Sequence, residues 1–339
     1  MTVNDLSGTY TLMDVVNDYT SLDAQGTYIW AAKIMSKKCP FIMDMPMVAS
    51  NQIMSNIGTR EAYMPTPGTR AFNQGVALTA VHSRPFTDPI AMVEDYNEVD
   101  IALWKIQNNP NAWRQNKDSR KVEAMTQVME GLIISGNIAS DPNAFNGLET
   151  RFNSSTTRPN GSSDAPYNVI LNGGGGSDVT SILVVEWGEG KAYGTYPKNL
   201  PGGLLVEDLG QHTVQPALTT RMEILRSHFA WYMGLVVEDE RCVQRIANIE
   251  TVVGATYSFD EDMLIQAINN LPGAGDGGNT VIYVSRTIKT QMDIRAKDKS
   301  NVYYTQAPTG DVWGRRVTYF QGIPVRMAEK ITDTETAIS

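Results

Sequence analysis

Residues 49–90 read ASNQIMSNIGTREAYMPTPGTRAFNQGVALTAVHSRPFTDPI. Apolar and polar side chains alternate in parts of the stretch, as at Val76, Leu78 and Ala80. The runs are bracketed by Gly58, Pro65, Pro67, Gly68, Gly75, Pro85 and Pro89. Period-two runs between Gly/Pro clusters predict a long β-hairpin. A hairpin has little core of its own, and two strands alone are marginally stable in water. The stretch therefore predicts an extended ribbon that must lie against something else, in the first instance another subunit.

Upstream, residues 1–48 mix short apolar groups with polar punctuation and end in the Met-rich stretch CPFIMDMPMV. Thr27 to Met35 (TYIWAAKIM) is expected to form one short helix, and the rest an arm ordered by other surfaces. Downstream lies the clearest helix. Asn109 is placed as an N-cap, and Pro110 sits where a helix tolerates proline. Val122, Met125, Met129, Leu132 and Ile133 follow at spacings of three and four, making one apolar stripe. Lys117, Asp118, Arg120, Lys121, Glu123 and Glu130 are assigned to the opposite, solvated face, and Gly136 with Asn137 ends the helix. Val99 to Ile106 is expected to add a shorter helix.

Residues 151–178 are Ser-, Thr- and Gly-rich and read as a surface loop around a short strand, Val169–Leu171. Ser181–Val185 and Lys191–Tyr196 read as strands, and Thr220–Ala230 alternates. Trp231–Val237 and Cys242–Ile249 are expected to pair with each other, turned at Asp239 and Glu240. The last ninety residues look like a separate α+β unit. Ser258 and Glu261 suggest a capping box ahead of Met263, Leu264, Ala267, Ile268 and Leu271. A strand Thr280–Val284, a helix capped by Ser285 with Ile288 and Met292 inward, and strands Arg315–Phe320 and Ile323–Ala328 follow.

Composition narrows the function. The 339 residues hold 28 basic and 37 acidic side chains, a formal charge of −9. With 42% hydrophobic residues the chain can bury a sizeable core, which excludes wholesale disorder. Charged residues are only 19%, below the roughly 25% of an average domain, which fits a surface partly covered by partners. The negative charge argues against wrapping nucleic acid with a basic face. No apolar run approaches the ~18 residues of a membrane span, and the N-terminus lacks the basic and apolar regions of a secretory signal. Cys39 and Cys242 lie far apart, which argues against a disulfide framework and fits a reducing compartment such as bacterial cytoplasm.

Chemistry is hard to find. Gly173–Gly176 leads into Ser177, Asp178 and a strand, so no helix N-terminus awaits a phosphate. His82, His212 and His228 have no zinc-helix spacing, and neither cysteine has a CxxC partner. Asp260, Glu261 and Asp262 are explained by a helix start, where negative charge is favourable. There is no G-x-S-x-G elbow. Trp113–Arg114 and Trp313, Arg315, Arg316 and Tyr319 could stack on single-stranded bases, but a strand edge and a helix face explain them equally well. No catalytic, cofactor-binding or metal-ligating residue is assigned, and the chain reads as a non-enzyme.

An arm, a Gly/Pro-marked hairpin, a long helix and a terminal α+β unit in this order resemble the major capsid proteins of tailed double-stranded-DNA bacteriophages, the Hong Kong 97-like fold. MPTPGTRAFNQGV (Met64 to Val76) is similar to the extended-loop motif of the short-tailed, podovirus-type branch. So are FNGLETRF from Phe145, EWGEGKAYGTYP from Glu186 and WYMGLVVEDERCVQRIANIE from Trp231. YFQGIPVRMAEKI, with Gly322, Ile323, Pro324 and Val325, is similar to the closing signature of the axial domain. The matches cover most of residues 45–330.

The resemblance implies an N-terminal arm (1–48), an extended loop (49–95), a peripheral domain (96–250) with its spine helix at about 109–136, and an axial domain (251–339). It implies self-assembly of hexamers and pentamers into an icosahedral shell, the virion capsid, built in the host bacterial cytoplasm. The implied partners are a separate scaffolding protein, a portal, a decoration protein, and packaged double-stranded DNA held without sequence specificity. No cofactor or membrane is implied. Rival assignments are an encapsulin-like compartment shell and a phage tail component. Ile53, Met54, Tyr63 and Met64 are the expected apolar contacts between subunits, and Arg60, Arg70 and Arg84 are expected to pair with a neighbour's Glu94, Asp95 or Glu98. One departure stands out: only about fourteen residues follow Val325, whereas segments similar to the missing elements, Ser181–Val206 and Thr219–Ile249, come earlier. A permuted connectivity, with the same elements in space joined in a different order, is the expectation.

Overall fold

The computed structural model describes residues 39–63, 65, 67–156, 168–217, 220–273, 279–298, 304–306 and 318–338. The helix expected at Thr27–Met35 lies outside them. The described chain separates into two units, one of residues 92–129 and 203–232, the other of 39–91, 130–202 and 233–338.

The smaller unit is organised by helix and ribbon. Strand β4 (Ala91–Asp100) runs straight into helix α2 (Ile101–Ile106), whose start is capped by the Asp100 carboxylate accepting from the Ala102 amide at 2.7 Å. Helix α3 (Pro110–Ser135) follows, roughly 40 Å long. Its start is as expected, with Asn109 accepting from the Ala112 amide at 3.3 Å. Trp113 is buried against Val99, Leu103 and Trp104. Strand β8 (Leu204–Ala217) pairs antiparallel with the first part of β9 (Thr220–Val237), from Leu204 opposite Trp231 to Ala217 opposite Thr220. The sequence reading had no strand at β8. Charge ties hold the pieces: Arg114 grips Asp208 at 2.6 and 3.1 Å and Ser227 at 2.9 Å, Arg226 pairs with Glu98 at 2.6 Å, and Lys121 with Asp95 at 3.0 Å.

The larger unit is built on a seven-stranded sheet. Its strands are β5 (Val169–Leu171), β6 (Val179–Glu186), β10 (Val243–Glu250), β11 (Thr280–Val284), β12 (Tyr304–Gln306), β13 (Thr318–Phe320) and β14 (Ile323–Met327). They lie in the order β12-β13-β14-β11-β6-β10-β5, with β14 parallel to β11 and β5 parallel to β10. Strands β6, β10 and β11 are buried almost throughout, so their Val/Ile runs do not alternate. Helices α5 (Glu261–Asn269) and α6 (Arg286–Asp298) cover one face with Leu264, Ala267, Ile268, Ile288 and Met292. The β13–β14 turn has Gln321 and Gly322 both at positive φ, 50° and 83°, the geometry that twists two strands tightly together.

Three expectations change here. Trp231–Val237 and Cys242–Ile249 do not pair: the end of β9 pairs with β7 (Ala192–Tyr196), while β10 pairs with β6 and β5. A short 3-10 turn at Glu240–Cys242 sends the chain into another sheet, which strand propensity alone does not register. The cap of α5 is Asp260, accepting from the Asp262 amide, rather than Ser258. The sheet of the last ninety residues also takes in β5, β6 and β10, so it crosses the division drawn at residue 250.

Glu130 also moves. Assigned to the solvated face of α3, it is 0% exposed. Above it sits helix α1 (Pro40–Asp44), the first described element. Phe41 stacks on Tyr283 at 3.7 Å between ring centroids and meets Trp187 edge-on at 6.4 Å. Trp187 Nε1 donates to Tyr283 Oη at 2.8 Å, Tyr283 Oη donates to Asp44 at 2.9 Å, and Arg326 closes the row on Asp44 at 3.0 Å. Burial pushes the Glu130 carboxyl up to about 8; the Cys39 thiol acts against this, the Asp44 charge adds to it, and Lys330 and the Phe41 backbone oppose it.

Candidate inter-subunit surface

The ribbon expected at 49–90 is present. Strand β2 (Ser55–Tyr63) pairs antiparallel with β3 (His82–Pro89), from Ser55 opposite Pro89 to Tyr63 opposite His82, as a two-stranded sheet of its own. Gly58 faces Phe86 across the ribbon. A Cβ at Gly58 would come within 2.5 Å of the Phe86 ring, so glycine lets the ring lie flat over β2. The Arg60 guanidinium then stacks 4.0 Å from the ring centroid.

The root of the ribbon is held by charge. Arg60 Nε donates to the Val237 carbonyl at 3.0 Å, and Arg60 reaches Glu240 at 3.5 Å and Asp88 at 3.9 Å. Asp88 is buried and takes its closest cation, Arg151, at 2.9 Å; Arg151 also donates to the Leu235 carbonyl at 3.0 Å. Burial lowers the Arg60 pKa, and Asp88 and Glu240 counter it. Beside this network Asn56 donates to Tyr193 Oη, which donates to Glu238 at 2.7 Å. Arg60→Leu removes the donor to Val237 and one of the cations beside Asp88. It is expected to cost roughly 2–4 kcal/mol, read as a lower denaturation midpoint together with faster amide exchange in β2 and β3.

Beyond the root no described residue covers the ribbon. Residues 67–85 are all exposed, with Phe72 at 97% and Leu78 at 101% of their full accessible area and Val76 and Val81 open as well. Large apolar side chains held in water on a long loop mark a surface meant for another protein. The chain is matched over residues 23–339 by the family described as major capsid protein GP7. The chain belongs to that family.

One solved structure agrees with this, the first of the three that follow. A chain of bacteriophage Epsilon15, solved by cryo-EM, is 26% identical, with a TM-score of 0.71 over 99% of each chain. The bacteriophage JBD30 capsid is 12% identical, with a TM-score of 0.49 over 95% of this chain and 99% of the other. The SrpI encapsulin of Synechococcus elongatus is 14% identical, with a TM-score of 0.47 over 74% of this chain and 100% of the other. No curated protein matches. The fold is the Hong Kong 97-like capsid fold, and neither a compartment shell nor a tail component is favoured.

Within this capsid subunit the residues singled out from sequence fall into distinct places. Ile53 is 70% exposed and Met54 is open at the start of β2. Tyr63 ends β2, and Met64 lies outside the described residues. Arg70 and Arg84 are exposed along the loop and β3. Arg60 instead is engaged inside its own subunit, in the root network. The acidic residues are also engaged at home: Asp95 with Lys121, Glu98 with Arg226, and Glu94 with His228 at 3.8 Å. His228 stacks on Tyr96 at 4.6 Å. Phe72 and Leu78, the most exposed apolar groups of the loop, are not among the contacts expected from sequence, although Leu78 belongs to the alternating run. Their signal was present in the quoted stretch, as bulky residues on a segment too rich in Gly and Pro to bury them locally.

Proposed function

We propose that this capsid protein closes into an icosahedral shell of hexamers and pentamers around packaged double-stranded DNA, and that loop 65–81 supplies the contact each subunit makes on its neighbour. The exposure of Phe72 and Leu78 carries this reading: laid on a sister subunit, each would bury area worth roughly 1.5–3 kcal/mol. Arg70 and Arg84 would meet acidic side chains there, with Glu94 the best placed of the three suggested, since Asp95 and Glu98 already hold closer cations at home. A separate scaffolding protein, a portal and a decoration protein are the further partners of this reading, with assembly in the host bacterial cytoplasm. The role is mechanical, with no catalytic step. The seven-stranded sheet, in which β6 and β10 sit beside β11 although they precede it in the chain, supports the permuted connectivity.

The test is to replace residues 65–81 by a short Asn-Gly turn. The root network stays, so the melting temperature is expected to stay within about 3 °C, while negative-stain micrographs show no closed shells. Normal particles from that variant would sink the role of the loop.

A further inference from the structure

Helix α4 (Leu148–Arg151) is a single turn of the larger unit, with Leu148 and Phe152 buried at its two ends. Its start rests on the end of α3. The Gly147 amide donates to the Gly136 carbonyl at 2.8 Å, and Thr150 Oγ1 donates to the same oxygen at 2.7 Å. The two backbones lie so close that a Cβ at Gly147 would stand 2.6 Å from the Ile134 carbonyl oxygen, so glycine is what lets the turn seat there.

The other end of the turn is capped from β10. Arg245 Nη1 donates to the carbonyls of Glu149 and Phe152, both at 2.9 Å, where a helix end has no donors of its own to offer. The same guanidinium is fixed on its remaining nitrogens: Nη2 donates to Glu335 Oε2 at 2.7 Å, and Nε to Ser181 Oγ at 3.0 Å. The Arg245 and Glu335 side chains are only 5% and 8% exposed, so water cannot readily replace either partner. Glu335 belongs to residues 328–338, and the amides of Glu335 and Ala337 lay that segment on the larger unit, donating to the Val179 and Gly176 carbonyls at 2.9 and 3.0 Å. From α4 itself Arg151 reaches the root of the ribbon, meeting Asp88 of β3 at 2.9 Å and the Leu235 carbonyl at 3.0 Å. Each step from Glu335 to β3 is thus a direct polar contact or runs through the one turn of α4.

We propose that Glu335 is a positioning residue for the β2–β3 ribbon: it orients Arg245, Arg245 seats the end of α4, and α4 carries Arg151 onto Asp88. The ribbon's hold on the body is thereby coupled to the docking of residues 328–338. Coupling of this kind is reciprocal, so a ribbon held in place also strengthens the docking of that segment. Arg60 keeps its own bond to the Val237 carbonyl, so loss of the Glu335 charge loosens the ribbon rather than detaching it. The coupling lies within one subunit and does not depend on what loop 65–81 touches.

Hydrogen exchange on the full, unassembled chain tests this. Glu335→Gln keeps the shape but removes the charge that holds Arg245, and should speed exchange of the root amides within 55–60 and 84–88 about fivefold or more, with β11 unchanged. Arg151→Met cuts the link on the ribbon side and should speed the same amides by itself. In that background Glu335→Gln should add less than about twofold, because the path it acts through is already broken. An unmoved ribbon in Glu335→Gln, full additivity of the two changes, or an equal rise in β11 overturns the proposal. Should Arg151→Met not fold, Asp88→Asn weakens the same contact and takes its place in the double variant. Shell formation is not the readout, so failure here leaves the role of loop 65–81 standing, and failure of that role leaves the coupling standing.

Discussion

Met129→Asp is expected to destabilise the subunit by roughly 4 kcal/mol or more, enough to leave much of it unfolded at 37 °C. Met129 is fully buried on the inner stripe of α3 with Met125 and Ile133. An aspartate there has either to ionise without a counter-ion or to take up a proton, and it also leaves unfilled the volume of the thioether. Urea titration followed by circular dichroism reads the effect directly. Met129→Leu keeps the volume and is the control, with a cost expected below about 1.5 kcal/mol. An unchanged midpoint for the aspartate variant would mean that the stripe faces solvent.

The second large effect lies one residue further on. The buried Glu130 carboxyl is raised to about 8, so it stays protonated in the folded chain at a pH where the unfolded chain has lost that proton. The sign follows from proton counts. Between the unfolded value of 4.5 and the folded value of about 8 the native state binds the extra proton, so stability declines as pH rises through this window. At its upper end the loss amounts to as much as about 5 kcal/mol, an upper bound set by 1.36 kcal/mol per unit. Glu130→Gln keeps the shape and removes the titration. Its unfolding free energy is expected to be flatter across this range and to exceed that of the wild type near pH 8. Parallel pH curves for the two proteins would show that Glu130 is not the group responsible.

These two neighbours show where sequence reading works and where it fails. Met129 was legible because a helix repeats its faces every three to four residues, and that rule needs only the helix itself. Glu130 was not, because its burial comes from α1, some ninety residues earlier, whose Phe41 stacks on Tyr283 and meets Trp187 edge-on. The β2–β3 ribbon was legible for the same local reason as Met129: turn residues and alternation lie within one stretch. Arg60 read as a charge for a neighbour because two of its partners, Glu240 and the Val237 carbonyl, come from far along the chain. The partners of β9 and β10 were hidden in the same way, since pairing is chosen by burial against the whole sheet. The order of features identified the family even though several of the pairings were misread.

The layout of the seven-stranded sheet has a consequence for how the subunit is made. Strand β6, near its middle, emerges from the ribosome well before β10, and β11 follows only after α5. The parallel partner of β11 is β14, completed at Met327. Few of these pairings are local, so the nascent polypeptide carries open apolar strand edges until almost all of it has been synthesised, and the final condensation should be slow.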